Sequence, residues 1–288
     1  MNVSGSRVLL TGAAGGIGRA IASELLQKGA EVLLVDRDAR ALEAVAQTLA
    51  VPRERFDLHV ADLTSASERS ELCSKAGTWH GGINVLVNNA GVNPFGLFEA
   101  LSPEQIDLAL AINLHAPMHL CRELLPHLRR QVPAAIVNTG SVFGAIGFPG
   151  YAAYSTTKFA LRGFTEALRR ELSGSRISVQ YLAPRATRTP INSQAVETMN
   201  RELGVAMDPP ERVARELVAL LESRRASAVV GWPEKLFVRL NALAPGLVDR
   251  ALRKQLPVIR RYADGQRSRR FDSTTQAETS TQIGNHAL

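Results

Sequence analysis

Val8-Leu9-Leu10-Thr11-Gly12-Ala13-Ala14-Gly15-Gly16-Ile17-Gly18-Arg19 runs from an apolar strand through a glycine-rich turn into a helix. Gly12 permits the tight turn, Gly16 lets backbone N–H groups approach a pyrophosphate, and Gly18 lets helix and strand pack closely. An anion held there sits at a helix N-terminus, where free N–H groups and the helix dipole favour it. The glycines are spaced G-x-x-x-G-x-G rather than G-x-G-x-x-G. The strand–turn–helix context, more than the glycines alone, makes Gly12, Gly16, Ile17 and Gly18 candidate dinucleotide contacts.

Outward from this turn, residues 7–230 alternate short apolar runs with helical periodicity. Strands are expected at Arg7–Thr11, Glu31–Val35, Asp57–Ala61, Ile83–Val87, Ala134–Asn138, Ile177–Leu182 and Ser227–Val230. The segments between them, such as Ile17–Lys28 and Tyr154–Leu172, repeat every 3.6 residues. Strands separated by helices predict βαβ units, right-handed crossovers and a doubly wound parallel sheet of about seven strands. Nothing divides residues 1–231, so they read as one domain. Within it, the polar stretch 186–208, interrupted by Pro190, has the length of a lid or binding loop. Residues 232–262 form a basic, Leu-rich helical appendix, and residues 263–288 are Ser/Thr/Gln-rich and expected to be disordered.

The 288 residues, 45% hydrophobic and 21% charged, lie in the globular range, which excludes wholesale disorder. Cys73 and Cys121 are too few for a disulfide framework or a four-cysteine zinc site and read as buried thiols. His115 and His119 lie four apart on a helix but have no third ligand, so no metal is expected. No run approaches the 18 or so apolar residues of a membrane span. The strand opening at Arg7 leaves no room for a secretory h-region, so the cytoplasm is the expected compartment. Most of the net charge of +7 is local: residues 232–262 hold seven cations against two carboxylates. Without interleaved aromatics or a groove-reading motif, that basic stretch does not point to nucleic acid.

Two further features carry chemistry. Asp36 closes the second strand, where a carboxylate can accept hydrogen bonds from adenosine ribose hydroxyls and repel a 2′-phosphate. NAD is therefore expected over NADP, although Arg37 and Arg19 are placed to grip a phosphate; Asp38 is the better candidate for capping the next helix. Tyr154 and Lys158 stand four apart on one helix face. A phenol with pKa about 10 is a poor acid–base group near neutrality, and a lysine cation beside it favours the phenolate.

Taken together, the chain resembles the short-chain dehydrogenase/reductase family. The resemblance rests on Thr11-Gly12 through Gly18, Asp62-Leu63 after the third strand, and Asn88-Asn89-Ala90-Gly91 after the fourth. It continues with Asn113 in the following helix, Ser141 after the fifth strand, and Tyr154 and Lys158 thirteen and seventeen residues later. These motifs span about residues 7–190 and imply a Rossmann-type fold and an NAD(P)-dependent oxidoreductase acting on a carbonyl or secondary alcohol. The resemblance implies Tyr154 as general acid or base, Ser141 as stabiliser of the substrate oxygen and Lys158 as modulator of Tyr154 and ribose ligand. It makes Asn113 the anchor of a proton-relay water. Asp62 and Leu63 would flank the adenine; Asn89, Ala90 and Gly91 would line the adenosine side. Pro184, Thr187 and Thr189 belong to the loop over the nicotinamide. It also implies dimers or tetramers through the helices bearing Asn113 and Tyr154.

One position departs from the pattern: Arg185 stands where the family usually has glycine after Pro184. If a positive φ is needed there, an arginine is strained. The expectation is a re-shaped loop in which Arg185 or Arg188 points toward an anionic group of cofactor or substrate. In the appendix, Leu236, Phe237, Leu240 and Leu243, then Leu247, Val248, Leu252 and Leu256, have helical spacing beside cations. Such helices suit either a cover over the substrate cleft or a subunit contact, or else peripheral contact with an anionic membrane. An apolar substrate (ketone, 3-oxoacyl thioester or sterol-like alcohol) is expected; the competing expectation is a non-catalytic dinucleotide-binding scaffold or sensor recruited through residues 232–262.

Overall fold

The computed structural model describes the backbone of residues 1–284 and the side chains of residues 1–264. Seven parallel strands form one sheet: β1 (Arg7–Thr11), β2 (Glu31–Asp36), β3 (Phe56–Val60), β4 (Val85–Asn88), β5 (Ala134–Thr139), β6 (Ile177–Ala183) and β7 (Ser227–Val229). Their order is β3-β2-β1-β4-β5-β6-β7. Each expected strand is present with ends moved by no more than two residues. The central strands are apolar throughout rather than alternating, because helices cover both faces. One core layer unites Val8, Leu10, Val32 and Leu34 with α1 (Gly16–Gln27) and α8 (Pro210–Ser223). The other unites Leu9, Leu33, Leu86 and Ile136 with α3 (Ala66–Thr78) and α5 (Ala116–Leu128).

The strand order reverses direction at β1, which pairs with β2 on one side (Leu9↔Leu33) and β4 on the other (Leu9↔Leu86). The crossovers leaving β1 and β4 diverge there and open a crevice at the carboxyl ends of the strands, the place where ligands bind in open α/β sheets. Asp38 caps α2 (Ala39–Thr48) by accepting a hydrogen bond from the Ala41 N–H at 3.0 Å, as expected. Between α4 (Pro103–Leu110) and α5 the chain makes a π-helical turn, Ala111–His115, without leaving the helix axis.

The stretch 186–208 is not simply a loop. It carries α7 (Gln194–Glu202), capped by Ser193, whose hydroxyl accepts from the Val196 N–H, with Val196 and Met199 buried. After β7 come α9 (Glu234–Leu243) and α10 (Pro245–Gly284). With α6 (Ala152–Glu171), α7 and α10 enclose a third cluster around Phe95, Tyr151, Val196, Met199 and Ile259, with Tyr154 packed on its edge. The α10 backbone runs past the start of the tail expected to be disordered; residues 285–288 of that tail lie outside the described residues. Among the described residues no helix is long and apolar enough to cross a membrane, and no group of three or more His, Cys, Asp or Glu is placed to hold a metal.

Candidate active site

The glycine turn becomes a cradle through the absence of side chains. Gly12 has φ +65°, and a Cβ there would lie 2.7 Å from the Ala90 Cα. A Cβ on Gly18 would run into the Gly12 carbonyl, and one on Gly16 would lie 2.7 Å from the Thr189 Cγ2. The N-cap of α1 is Gly15, which offers no side chain to the first-turn N–H groups, so these remain for an anion. Asn89 holds the turn from behind, its amide donating to the carbonyls of Thr11 and Gly12, both at 3.2 Å. The Thr11 hydroxyl accepts from the N–H groups of Asn89 and Ala90.

Asp36 extends from the end of β2 beneath this turn. Its carboxylate accepts from the Ala14 N–H at 2.9 Å and from the Arg37 N–H at 2.8 Å. The arrangement ties the second strand to the glycine turn and fixes a negative charge at the crevice rim, while the Arg37 side chain is exposed beside it. Asp62 accepts from the N–H and hydroxyl of Thr64, and these bonds hold its carboxyl below the usual range.

The opposite wall is carried by β5 and α6. Ser141 leaves the end of β5, and its hydroxyl caps a short 3-10 turn by accepting from the Phe143 N–H at 3.1 Å. The same side chain faces the Tyr154 phenol closely enough to favour its ionised form. Burial pushes the Tyr154 phenol up to about 12, with Ser141 acting in the opposite direction. Burial pushes the Lys158 ammonium down to about 8. Lys158 Nζ donates to the Thr139 carbonyl at 3.0 Å and lies 5.6 Å from the centre of the Tyr154 ring. Without a bound dinucleotide, desolvation raises the Tyr154 pKa and lowers that of Lys158, each toward its neutral form. Thr139 Oγ1 is buried beside this pair without a hydrogen-bond partner.

Asn113 sits in the π-helical turn and its side chain makes three hydrogen bonds. Its amide oxygen accepts from the Val92 N–H at 2.8 Å, and its amide nitrogen donates to the Val92 carbonyl and to Thr157 Oγ1. It braces the loop after β4 against α6, and Gly91 alone separates it from Lys158: a Cβ there would meet Asn113 Oδ1 at 3.2 Å and Lys158 Nζ at 3.7 Å. A π-turn supplies this reach because the extra residue rotates one side chain out of the ordinary helical register. Tyr181, which the sequence did not single out, backs the site. Its hydroxyl donates to the carbonyls of Ser141 and Lys158, and its ring fills space that only glycine at 140 and 144 leaves open.

All the candidate residues except Asn113 line one cleft of about 1050 Å³. Its outer part is apolar and continuous with Tyr154: Ile146, Phe148 and Tyr151 from the α6 side, Val196 and Met199 from α7, and Phe237, Leu240, Val248 and Leu252 from the appendix. The appendix therefore covers the cleft.

Arg185 corrects an expectation. Its guanidinium grips the Asp208 carboxylate with two bonds, 2.9 Å from Nε and 2.7 Å from Nη2, and reaches the Trp232 carbonyl and Glu234 with Nη1. Its side chain is only 8% exposed and that of Asp208 4%. Instead of reaching for an outside anion, it lines the cleft already paired with two carboxylates of its own chain; Arg188 is exposed and does not line the cleft. Nor is the backbone strained at 185, since among the described non-glycine residues only His80 and Arg224 have positive φ. The room it needs comes from Gly231, where a Cβ would lie 2.6 Å from the Arg185 Nε. Cys73 and Cys121 are partly and fully buried, and burial pushes both thiols up to about 12.

The geometry has counterparts. Residues 6–200 match the family model of the short chain dehydrogenases. Nodulation protein G of a Rhizobium species is 35% identical over 237 residues, which span 80% of this chain and 94% of that protein. A 3-oxoacyl-(acyl-carrier-protein) reductase of Thermotoga maritima is 31% identical over 237 residues, 80% of this chain and 96% of that protein. A short-chain dehydrogenase/reductase of Burkholderia phymatum, solved in complex with NAD, has the same fold, with a TM-score of 0.78 at 24% identity over 86% of this chain and 96% of that one. A 3-ketoacyl-(acyl-carrier-protein) reductase of Brucella melitensis, complexed with NADH, gives a TM-score of 0.71 at 26% identity over 79% of this chain and 96% of that one. By its glycine turn, its sheet order and these likenesses in sequence and structure, the chain belongs to the short-chain dehydrogenase/reductase family of oxidoreductases.

Proposed function

We propose that this protein reduces or oxidises an apolar carbonyl or secondary alcohol, with NAD preferred to NADP. The observation that carries the reading is a single cleft that joins a phosphate-ready glycine turn to an apolar chamber across the Ser141–Tyr154–Lys158 group. The residues fit a nicotinamide dinucleotide: the first-turn N–H groups of α1 would hold the pyrophosphate and Asp36 would receive the adenosine ribose. Leu63, Ala90 and Gly91 would line the adenosine side, and Pro184, Thr187 and Thr189 the nicotinamide side. Thr139 Oγ1 offers an unused polar contact within the site. Bound there, the cofactor supplies or accepts a hydride. The NADH-complexed relative from Brucella melitensis supports the preference for the unphosphorylated cofactor.

Tyr154, a phenol and so protonated at neutral pH, is placed to serve as the proton donor to a carbonyl oxygen in the reducing direction. Ser141, beside Tyr154, donates to the same oxygen and stabilises the negative charge that develops on it. Lys158 orients the ribose and draws the phenol toward its anion when Tyr154 must act as a base. Asn113, whose amide oxygen keeps one free acceptor site, would anchor a water that links Lys158 to solvent as a proton relay. The chamber beyond, lined by Phe148, Val196, Met199, Phe237 and Leu252, favours a long or broad apolar substrate by burying its surface. The family's oligomers, paired through the helices that bear Asn113 and Tyr154, are proposed for this chain as well.

Reduction of a homologous series of 3-oxo thioesters and of aliphatic and alicyclic ketones with NADH tests the reading. The expected result is kcat/KM rising severalfold with each pair of methylenes until the chamber is filled. A preference for short, charged substrates would overturn it.

A further inference from the structure

The appendix that roofs the cleft has a second side. None of the ten residues of α9 is buried, although five of them are Leu, Phe or Val. Phe237 and Leu240 line the cleft, whereas Leu236 and Leu243, seven apart and so on one face, turn away from it. Leu243 is 86% exposed, and Trp232, just before α9, is 64% exposed. Leu247 at the start of α10 extends the apolar surface to the mouth of the chamber. Isolated exposed apolar residues are ordinary, but four large ones within sixteen residues of one appendix suit an interaction surface.

Its charge identifies the partner. Lys235 and Arg239 lie one step round α9 from Leu236 and Leu243. On α10, Leu247, Arg250, Ala251 and Lys254 recur at three and four and share a face. Among the described residues, Lys235, Arg239, Arg250, Arg253 and Lys254 make no ion pair. Apolar side chains flanked by unpaired cations, with an indole at the edge, match the boundary between acyl chains and anionic headgroups.

We propose that the face formed by Trp232, Leu236, Leu243 and Leu247, with Lys235, Arg239 and Arg250 around it, docks on an anionic lipid bilayer. Docking brings the mouth of the apolar chamber against the membrane surface, so a hydrophobic substrate passes from lipid to Tyr154 without crossing water. The proposal extends the apolar-substrate reading of the cleft but is tested without turnover, so either can fail alone.

The test is co-sedimentation of the full chain with phosphatidylcholine vesicles, with and without phosphatidylglycerol, alongside tryptophan emission. Expected are binding to the anionic vesicles, weakening with salt, and a blue shift that Trp232→Phe abolishes. Leu236→Asp with Leu243→Asp lowers partitioning about tenfold or more. Arg239→Gln alone lowers it about fivefold. Circular dichroism and NADH binding confirm that the variants fold. No binding to anionic vesicles, or binding unaffected by these substitutions, overturns the proposal. So does a concentration-dependent dimer that the double Asp variant dissociates while vesicles remain unbound, since the face would then belong to a second copy.

Discussion

The glycine turn at Gly12–Gly18 and the ion-paired knot of Arg185, Asp208 and Glu234 both border the same cleft, yet they are made differently. The turn is backbone: its shape comes from missing Cβ atoms and its ligand groups are N–H donors at the start of α1. The residues that build it are contiguous, and Asn89 and Asp36 lock it from neighbouring strands. The knot is side chain: a guanidinium from just after β6, a carboxylate from the end of the stretch 186–208 and another from the start of α9, with Gly231 giving way to it. A surface of backbone and glycines accepts one chemical group wherever it recurs. A surface of side chains gathered from distant segments suits one substrate. The glycine turn is thus a generic device and the Arg185 knot an individual one.

The most forceful way to separate the two sides of the cleft is Tyr154→Phe. Turnover should fall about 10²- to 10⁴-fold while NADH binding stays unchanged, because the phenol oxygen serves the proton step and not the dinucleotide. Undiminished turnover would end the assignment of Tyr154.

Arg185 tests the other side. Arg185→Ala leaves Asp208 buried with Arg212 as its remaining cation, at 3.0 Å. Removing one partner of such a pair costs about 3 kcal/mol of stability, read as a lowered urea midpoint. KM for an apolar substrate should rise, since the stretch 186–208 and the appendix share this anchor, while NADH affinity should hold. If Arg185→Gly matches the parent in both stability and KM, the knot has no role in shaping the substrate side.

Lys158 belongs to both sides and trades stability for its position. Burial lowers its pKa from the ordinary 10.5 to about 8. Between those values the unfolded chain keeps a proton that the folded chain has released, so the contribution of this group makes stability rise with pH across that window. Lys158→Met should abolish turnover yet raise stability at pH 7 by on the order of 1–3 kcal/mol, and remove that pH dependence. A destabilised Lys158→Met protein would mean that the bond to the Thr139 carbonyl outweighs the burial of the charge.

The smallest effect lies on the nucleotide side. Asp38→Ala removes the cap of α2 and should cost about 1 kcal/mol with no change in cofactor selectivity. Asp36→Asn, by contrast, should narrow the preference for NADH over NADPH, measured as the ratio of the two dissociation constants.

The glycine turn was legible in the sequence because it is local. A strand, a glycine turn and a helix lie within twelve residues, and the strand order follows from βαβ handedness. Tyr154 and Lys158 were legible for the same reason, sharing one turn of helix. What escaped was non-local or depended on an irregularity. Arg185 looked like a ligand for an anion because nothing at 185 reveals that Asp208 and Glu234 fold back onto it. Tyr181 looked like any strand aromatic until Gly140 and Gly144 were found to leave space for it. The helix α7 hid in a polar stretch, although Ser193 as a cap and Val196, Met199 and Leu203 at three- and four-residue spacing were its signature. The π-turn at Asn113 has no sequence signal that periodicity alone detects.

The central claim is that the glycine turn, Asp36 and the Tyr154 group form a working dinucleotide cleft despite the altered loop at Arg185. Titrating the purified protein with NADH and, separately, NADPH, followed by nicotinamide fluorescence, tests it most directly. The prediction is saturable binding of NADH at micromolar concentrations or below, and weaker binding of NADPH because Asp36 repels the 2′-phosphate. Binding of neither cofactor would contradict the claim.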